Sequence, residues 1–156
     1  MIRLPPGTRL RDGTPADADA LHSLYHAAYG AGQDSHRDNK GAPLKDTLAD
    51  VRSFLEEHAV LVAEDADGLA ATVALRSIAN IRRLAVRPGL KGARIGSAML
   101  DASRERARAD GFDFAMLETF DDHPWLSPFY QRHGFEQRGI ETFPDGSRWL
   151  VMRQRL

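Results

Sequence analysis

NIRRLAVRPGLKGARIGSAML, residues 80–100, is the stretch that decides the fold we predict for this chain. Its first part, Ile81 to Val86, has the composition of a short β-strand, and Pro88 with Gly89 ends that strand. A loop of small residues, 91–96, comes next, and apolar residues then recur at helical spacing. The stretch therefore predicts a strand, a glycine-containing turn and the N-terminus of a helix, in that order.

The turn in this stretch has the chemistry of an anion-binding site. The first turn of a helix leaves several N–H groups without partners, and the helix dipole adds partial positive charge there. Gly92 and Gly96 would let a ligand approach the backbone closely, while Lys91 and Arg94 add full positive charges. These features suit a phosphate or pyrophosphate group. The same residues also fit an ordinary turn with basic surface side chains, and the turn alone does not decide between the two.

Length and composition predict one globular domain over residues 1–156. The chain has no cysteine, which excludes disulfides and cysteine-based metal or redox chemistry. Its apolar runs are far shorter than the ~20 residues that a membrane span needs, and its first ten residues lack the apolar core of a signal peptide. We therefore expect a soluble, cytoplasmic protein that makes no contact with a membrane.

Basic residues are concentrated in one segment of a nearly neutral chain. The net charge is -1, yet residues 76–108 hold nine basic and two acidic residues, a net charge of +7. The remaining residues carry a net charge of −8. A nucleic-acid binder is usually basic over a whole face, so this distribution favours a compact anionic ligand over a nucleic acid.

Hydrophobic periodicity predicts the element order β-α-α-β-β-β-α-β-α-β-β. The predicted strands are 8–11, 60–64, 69–75, 81–86, 112–120, 136–141 and 148–153. The predicted helices are 14–30, 44–57, 95–110 and 125–133, and residues 31–43 read as a loop. Hairpins require antiparallel pairs, whereas the crossover helix after Val86 requires a parallel pair. We thus predict an α/β (α+β) fold with a mixed sheet of about seven strands and about four helices.

Two histidines, His22 and His26, lie one helical turn apart in the first predicted helix. A zinc site needs at least a third protein ligand, and the sequence offers none nearby. We therefore expect no metal site.

Three segments resemble the GNAT superfamily of acyl-CoA-dependent N-acyltransferases. TRLRDGTPADADA, residues 8–20, is similar to the opening strand and helix of many members. RLAVRPGLKGARIGSAML, residues 83–100, resembles the acyl-CoA motif, whose core is Arg/Gln-x-x-Gly-x-Gly/Ala. PFYQRHGF, residues 128–135, resembles a second motif, a helix with a tyrosine before a Gly-Phe bend. The resemblance implies a twisted, mostly antiparallel mixed sheet and acetyl-CoA as co-substrate.

The resemblance also implies residue roles in holding acetyl-CoA. Backbone N–H groups around the turn would surround the pyrophosphate; these belong to Lys91, Gly92, Ala93, Arg94, Ile95, Gly96 and Ser97. The strand would bond the pantetheine arm through the main chain of Leu84, Ala85 and Val86. A β-bulge in this strand is expected to separate it from the next one. Tyr130 matches the tyrosine near the thioester sulfur, a candidate general acid.

The chain departs from the family pattern at three positions. Arg94 stands at the usual middle glycine of the motif, where its N–H is retained and a charge is added. Asn80 replaces a glutamate that many members place before the strand, so that base is missing. His123 replaces an asparagine that contacts the cofactor in many members.

An amine attacks a thioester only in its neutral form, so the reaction benefits from a base. Glu118, near the end of a predicted strand, is our first candidate, because family members that acetylate protein N-termini have a glutamate at this position. His123 and Glu64 are the alternatives, and each of these side chains also fits a purely structural role.

Three functions follow as hypotheses. The first is an acetyl-CoA-dependent N-acetyltransferase that acts on a primary amine, either a small molecule or a protein N-terminus. The second is a non-catalytic acyl-CoA-binding module of the same fold, and the third is a nucleotide or nucleic-acid binder, which the acidic remainder disfavours. Family members are often dimers, so a homodimer is compatible with the resemblance.

Overall fold

The computed structural model describes residues 2–30, 42–90, 92–121 and 123–156. Within these ranges there are seven strands: β1 (Arg9–Asp12), β2 (Ala59–Asp65), β3 (Gly68–Arg76), β4 (Asn80–Val86), β5 (Phe114–Phe120), β6 (Glu136–Thr142) and β7 (Arg148–Arg155). The helices of the described residues are α1 (Ala18–Gly30), α2 (Ala42–Lys45), α3 (Leu48–Glu57), α4 (Ile95–Ala109) and α5 (Leu126–Arg132), with short 3₁₀ turns at Pro15–Asp17 and Ser77–Ala79.

All seven strands form one sheet in the order β1-β2-β3-β4-β5-β7-β6. Neighbouring strands are antiparallel except for β4 and β5, which are parallel and are joined through α4. The predicted fold class is confirmed, including the parallel pair that the crossover helix requires. This pair brings the stretch 80–100 to the middle of the sheet.

Helices cover both faces of the sheet. In β2, Val60 and Val62 pack with Leu21 of α1 and with Val51 of α3, which places these helices on one face. Leu61 of the same strand belongs to the core on the opposite face, against α4. Because successive side chains of a strand point to opposite faces, burial on both sides explains the nearly continuous apolar runs of β2 and β3.

Burial alternates along β5 in a way that orients the site. Ala115, Leu117 and Thr119 are buried, whereas the residues between them, including Glu118 and Phe120, are only half-buried. Ala115 and Leu117 pack in the core beneath α4, so Glu118 and Phe120 lie on the other face of the sheet.

The predicted single helix 44–57 is wrong in its first part, because the structure has two helices there. The break falls at Thr47, whose backbone is extended and whose hydroxyl accepts from the N–H of Asp50 at 3.2 Å. The Asp50 carboxylate in return accepts from the N–H of Thr47 at 2.8 Å. This reciprocal capping box starts α3 afresh and outweighs the apolar spacing that suggested continuity.

Candidate acyl-donor cleft

The central feature of the site is a gap between β4 and β5. The two strands are paired only at Asn80 with Met116 and at Ile81 with Leu117, and they separate beyond these residues. The separation begins at a bulge in β4, where Arg82 faces Ala74 and Ala85 faces Thr72, so that two residues stand opposite one. Arg83 lies in the bulge with a φ of 53°. The bulge that the resemblance implied is thus present, and it bends β4 away from β5.

A cleft of about 860 Å³ occupies this gap. Its walls come from α1, β4, the turn before α4, the start of α4, the end of β5 and α5. Among the residues predicted to bind acetyl-CoA, those that line it are Leu84, Ala85, Val86, Gly92, Arg94, Ile95, Gly96 and Ser97. The remaining lining residues are Ala28, Tyr29, Leu90, Phe120, His123, Trp125, Leu126, Phe129, Tyr130, Arg132 and His133. Lys91 lies outside the described residues.

The N-terminus of α4 opens onto this cleft. Intrahelical bonding begins with the Ala98 N–H, which donates to the Arg94 carbonyl at 3.0 Å, so the N–H groups of Ile95, Gly96 and Ser97 precede the helical ladder. Arg94, the residue before the helix, provides no side-chain cap. These amides are therefore available to an anion at the positive end of the helix dipole.

Arg94 has a φ of 61° and Gly92 a φ of 85°, which places both residues in the left-handed region. This explains why the family pattern has glycine at the position of Arg94: the backbone there is one that glycine adopts without strain. The alternation of such residues with ordinary ones forms a concave backbone that suits an anion. Arg94 therefore keeps the shape of the turn and adds a positive charge to the rim.

Ala93 differs from the other residues of the turn. Its N–H donates to the Leu90 carbonyl at 3.2 Å, and Ala93 is not among the residues that line the cleft. A role for this amide in pyrophosphate binding stays a prediction.

The β4 wall of the cleft carries main-chain groups that face the gap. The Arg87 N–H donates to Ala70 of β3 at 2.7 Å. In an antiparallel ladder, every second residue directs its main-chain N–H and C=O groups to the same neighbouring strand. The main-chain groups of Ala85 therefore face β3, and those of Val86 face the gap. The Leu84 carbonyl also points away from β3, because it accepts a 2.9 Å hydrogen bond from the Tyr29 hydroxyl. An extended ligand arm in the gap can therefore lie along the main-chain edge that Leu84 and Val86 form.

Tyr130 of α5 lies against the cleft with 9% of its surface exposed. Its ring packs edge-on against Phe129 and Phe135. Burial raises the pKa of its phenol to about 12. The hydroxyl therefore stays protonated at neutral pH and can serve as a proton donor, as a general acid requires.

His123 lines the cleft with 6% of its surface exposed. Its Nδ1 accepts from the backbone N–H groups of Trp125 at 3.4 Å and Leu126 at 3.3 Å, at the start of α5. A neutral imidazole that accepts at Nδ1 carries its proton on Nε2. In this tautomer the lone pair of Nδ1 is engaged by the start of α5.

Glu118 is not among the residues that line the cleft. It lies on the face of β5 opposite α4, two residues before Phe120, which does line the cleft. Two residues along a strand correspond to about 7 Å. Its Oε2 accepts from Arg82 Nη2 at 2.9 Å. The structure therefore places Glu118 beside the cleft and joins it to a cation.

The third base candidate, Glu64, and Asn80, which replaces the glutamate base of many family members, both lie outside the cleft lining. Glu64 lies in β2, where the guanidinium groups of Arg11 and Arg9 lower the pKa of its carboxyl. Asn80 begins β4 with its Oδ1 buried and without a partner among the described residues. Neither side chain lines the cleft.

The sequence reasoning did not single out Tyr29 and Arg132, two polar residues that line the cleft. Tyr29 reaches β4 from α1, and burial, with smaller contributions from Tyr25 and Tyr130, raises the pKa of its phenol. Arg132 adds a second cation to the cleft beside Arg94. For Arg132 a signal existed, because it lies two residues after Tyr130 in the second motif; the contact of Tyr29 depends on tertiary packing.

The described residues hold no cluster of three or more potential metal ligands, although the rings of His22 and His26 lie 4.5 Å apart. Within the same residues, no helix has both the length and the apolar character needed to cross a membrane.

Known proteins share this architecture. Two solved structures superimpose well at low sequence identity, and they therefore show the fold alone. A GCN5-related N-acetyltransferase from Rhodopseudomonas palustris superimposes with a TM-score of 0.82 at 20% identity, over 100% of this chain and 98% of that one. The PaiA N-acetyltransferase from Thermoplasma acidophilum, solved in complex with coenzyme A, gives 0.78 at 14% identity, over 96% and 99% of the two chains.

Sequence comparison gives the family. S-(2-succino)cysteine N-acetyltransferase from Bacillus subtilis (strain 168) is 30% identical over 116 residues, which are 65% of this chain and 69% of that protein. A family model described as the acetyltransferase (GNAT) domain matches residues 56–137, a range that contains both strands of the gap, α4 and α5. This match covers more than half of the chain, and the chain therefore belongs to the GNAT acetyltransferase family.

Proposed function

We propose that this protein transfers an acetyl group from acetyl-CoA to a primary amine by direct attack of the amine on the thioester. One observation carries the proposal: a single cleft contains the edge of β4, the phenol of Tyr130 and the amides at the start of α4, which have no backbone acceptor among the described residues. Such a set of groups can bind a phosphate-bearing carrier at one end and a departing sulfur at the other.

The cleft fits acetyl-CoA in both size and polarity. Its volume of about 860 Å³ lies in the range of cofactor sites. The amides of Ile95, Gly96 and Ser97, together with Arg94 and Arg132, would hold the phosphates. The main-chain groups of Leu84 and Val86 would bond the pantetheine amides in the manner of a neighbouring strand.

Acetyl-CoA supplies an acetyl group already activated as a thioester. Glu118 accepts a proton from the acceptor, directly or through a water, and so provides the neutral amine. Tyr130 donates its proton to the sulfur while the new N–C bond forms and the C–S bond breaks. The nitrogen loses a second proton to solvent as the neutral amide forms, and the Tyr130 phenolate takes a proton back from solvent. Burial keeps the Tyr130 phenol protonated before the step, so it has a proton to donate.

His123 is the alternative base, and its hydrogen bonds favour another role. A proton acceptor needs a free lone pair, and the lone pair of Nδ1 already accepts from the start of α5. We therefore propose that His123 orients α5 and the ligand rather than removing the proton.

The relative from Bacillus subtilis supports transfer to nitrogen, because it is an N-acetyltransferase by name. The acceptor here would be a small-molecule amine or a protein N-terminus. A non-catalytic acyl-CoA-binding module is the second candidate, and the position of Glu118 outside the cleft lining favours it.

Release of free thiol from acetyl-CoA over a panel of amines separates the two candidates. An enzyme releases thiol only when a suitable amine is present, and Glu118→Gln should lower kcat by about 10²-fold or more. Glu56→Gln is the matched control, because Glu56 is an exposed residue of α3 outside the cleft lining. Binding of acetyl-CoA without amine-dependent thiol release would support the non-catalytic module instead.

A further inference from the structure

An ion pair stands at the point where β4 and β5 separate. The last paired residues of the two strands are Ile81 and Leu117, and the next residue outward on each strand carries a charge. These residues, Arg82 and Glu118, are joined by a 2.9 Å contact between Nη2 and Oε2. Their side chains are 35% and 23% exposed, so both charges are accessible to a molecule that enters the gap from this face.

The neighbouring arginine is engaged differently. Arg83 pairs with Asp46 at 2.7 Å, stacks on the ring of Phe54 at 4.0 Å and is only 13% exposed. Within the described residues, the side chain of Arg82 forms one hydrogen bond, to Glu118, and its buried Nε has no partner. The guanidinium of Arg82 can therefore turn toward a second carboxylate without breaking another side-chain bond of the described structure.

A half-exposed pair of this kind contributes little to stability, yet its two charges match a particular ligand. An α-amino acid carries an ammonium and a carboxylate on the same carbon. Arg82 can bind the carboxylate through its remaining N–H groups, since a guanidinium fits a carboxylate in a fork. Glu118 can then accept a hydrogen bond from the ammonium. An amine without the carboxylate would keep the contact with Glu118, but it would bring a positive charge near Arg82 with no carboxylate to offset it.

We propose that the acceptor is an α-amino acid, with Arg82 as the residue that binds its carboxylate and Glu118 as the residue that binds its amino group. This inference rests on the proposed transferase function and names the substrate class for the same site. The arrangement is productive, because the group that binds the ammonium is also the group that takes its proton. It also excludes a protein N-terminus, whose α-carboxyl group is consumed in a peptide bond.

Aromatic side chains flank the pair on the same face of the sheet. Phe120 lies two residues beyond Glu118, and Trp149 stands opposite Phe120 in the ladder. Their rings lie 4.3 Å apart. The side chain of the bound amino acid would meet this surface, which suits an apolar, aromatic or thioether group.

Matched pairs of acceptors test the inference. The probes are L-phenylalanine against 2-phenylethylamine and L-methionine against 3-(methylthio)propylamine, with S-(2-succino)cysteine as a further amino acid. Each is assayed for kcat/KM by thiol release with the wild-type protein, Arg82→Gln and Arg82→Lys. We expect the wild type to prefer at least one amino acid over its decarboxylated partner by about tenfold or more. Arg82→Gln should abolish that preference, and Arg82→Lys should restore part of it.

The ratio of kcat/KM between an amino acid and its decarboxylated partner separates recognition of the carboxylate from a general effect on the structure. If Arg82 has a purely structural role, or only positions Glu118, then its substitution changes the rates with both members of a pair by the same factor. An equal loss for both members, or a wild type that favours the amines, overturns the inference while the transferase function stands.

Calorimetry keeps the two proposals distinguishable if no acceptor is acetylated. The same amino acids and amines are titrated into the protein saturated with CoA. Binding that requires the carboxylate and is lost in Arg82→Gln supports the inference even though the proposed transfer has failed. No binding of any amino acid probe overturns it.

Discussion

Substitution of Gly96 should have opposite effects on the stability of the fold and on the binding of CoA. It is the second residue of α4 and lines the cleft. A Cβ built on Gly96 would meet Val86 Cγ2 at 3.6 Å and Phe129 Cζ at 3.9 Å, which are ordinary contacts. The protein therefore has room for an alanine. Side chains of a helix tilt toward its N-terminus, so the methyl group would stand over the amides that we assign to the pyrophosphate.

The two effects of Gly96→Ala have opposite signs. Replacing a helical glycine with alanine stabilises the folded state by about 0.5–1 kcal/mol, which raises the Tm of a protein of this size by about 1–4 °C. Lost access to the amides should raise the Kd for CoA by about tenfold or more, equivalent to about 1.4 kcal/mol. At a CoA concentration 100 times the wild-type Kd, binding stabilises the wild type by about 2.7 kcal/mol and the variant by about 1.4 kcal/mol.

Thermal denaturation with and without CoA, together with calorimetric titration, measures both effects. Gly139→Ala in β6 is the matched control, because its Cβ would meet nothing within 4 Å and its φ is not positive. The control should leave the Kd for CoA unchanged. An unchanged Kd in Gly96→Ala would show that the phosphates do not lie at the start of α4. A lower Tm without CoA would show that the site has no room for the methyl group.

Three further predictions concern the proposed general acid, the buried tyrosines and a helix cap. Tyr130→Phe should lower kcat by about 10²-fold or more and leave acetyl-CoA binding unchanged, because it removes only the donated proton. An unchanged kcat would show that Tyr130 is not the general acid. Tyr25, Tyr29 and Tyr130 are the chain's three tyrosines, and burial raises the pKa of each, to about 12 for Tyr25 and Tyr130. The fold favours the neutral phenols, so this contribution to stability is complete below the unfolded pKa of about 10 and is lost as the pH rises through 12. Phenolate absorbance at 295 nm should thus appear together with loss of the circular dichroism of the fold; titration near pH 10 with the fold intact would contradict the burial. Thr47→Ala should lower Tm by about 2–4 °C, because it removes a capping interaction of about 1 kcal/mol. The control Ser53→Ala, on the exposed surface of α3, should leave Tm unchanged. Equal effects of the two substitutions would argue against the capping box.

Local signals allowed most of the fold to be predicted. Pro88 and Gly89 ended a strand and Gly92 began a turn, and each of these positions acts through its own backbone preferences. The order of the elements then required β4 and β5 to be parallel, because the helix between them returns the chain to the same edge of the sheet. The helix break at Thr47 also had a local signal, Thr-x-x-Asp, which the apolar spacing of Leu44 and Leu48 obscured.

The site was less accessible to sequence reasoning, because its contacts join distant parts of the chain. Arg82 meets Glu118 only because two ladder pairs fix the register of β4 against β5. Tyr29 reaches the Leu84 carbonyl across 55 residues of sequence. Such contacts depend on register and helix packing, which no local pattern specifies.

In the function that we propose, the amides at the start of α4 hold the phosphates of acetyl-CoA. The most direct measurement is a ¹H–¹⁵N correlation spectrum of the protein titrated with CoA. We expect the largest changes in amide chemical shift at Gly92, Ile95, Gly96 and Ser97, while Gly139 in β6 stays unchanged. Saturable binding that leaves those four amides unshifted, or an absence of binding, would contradict the claim.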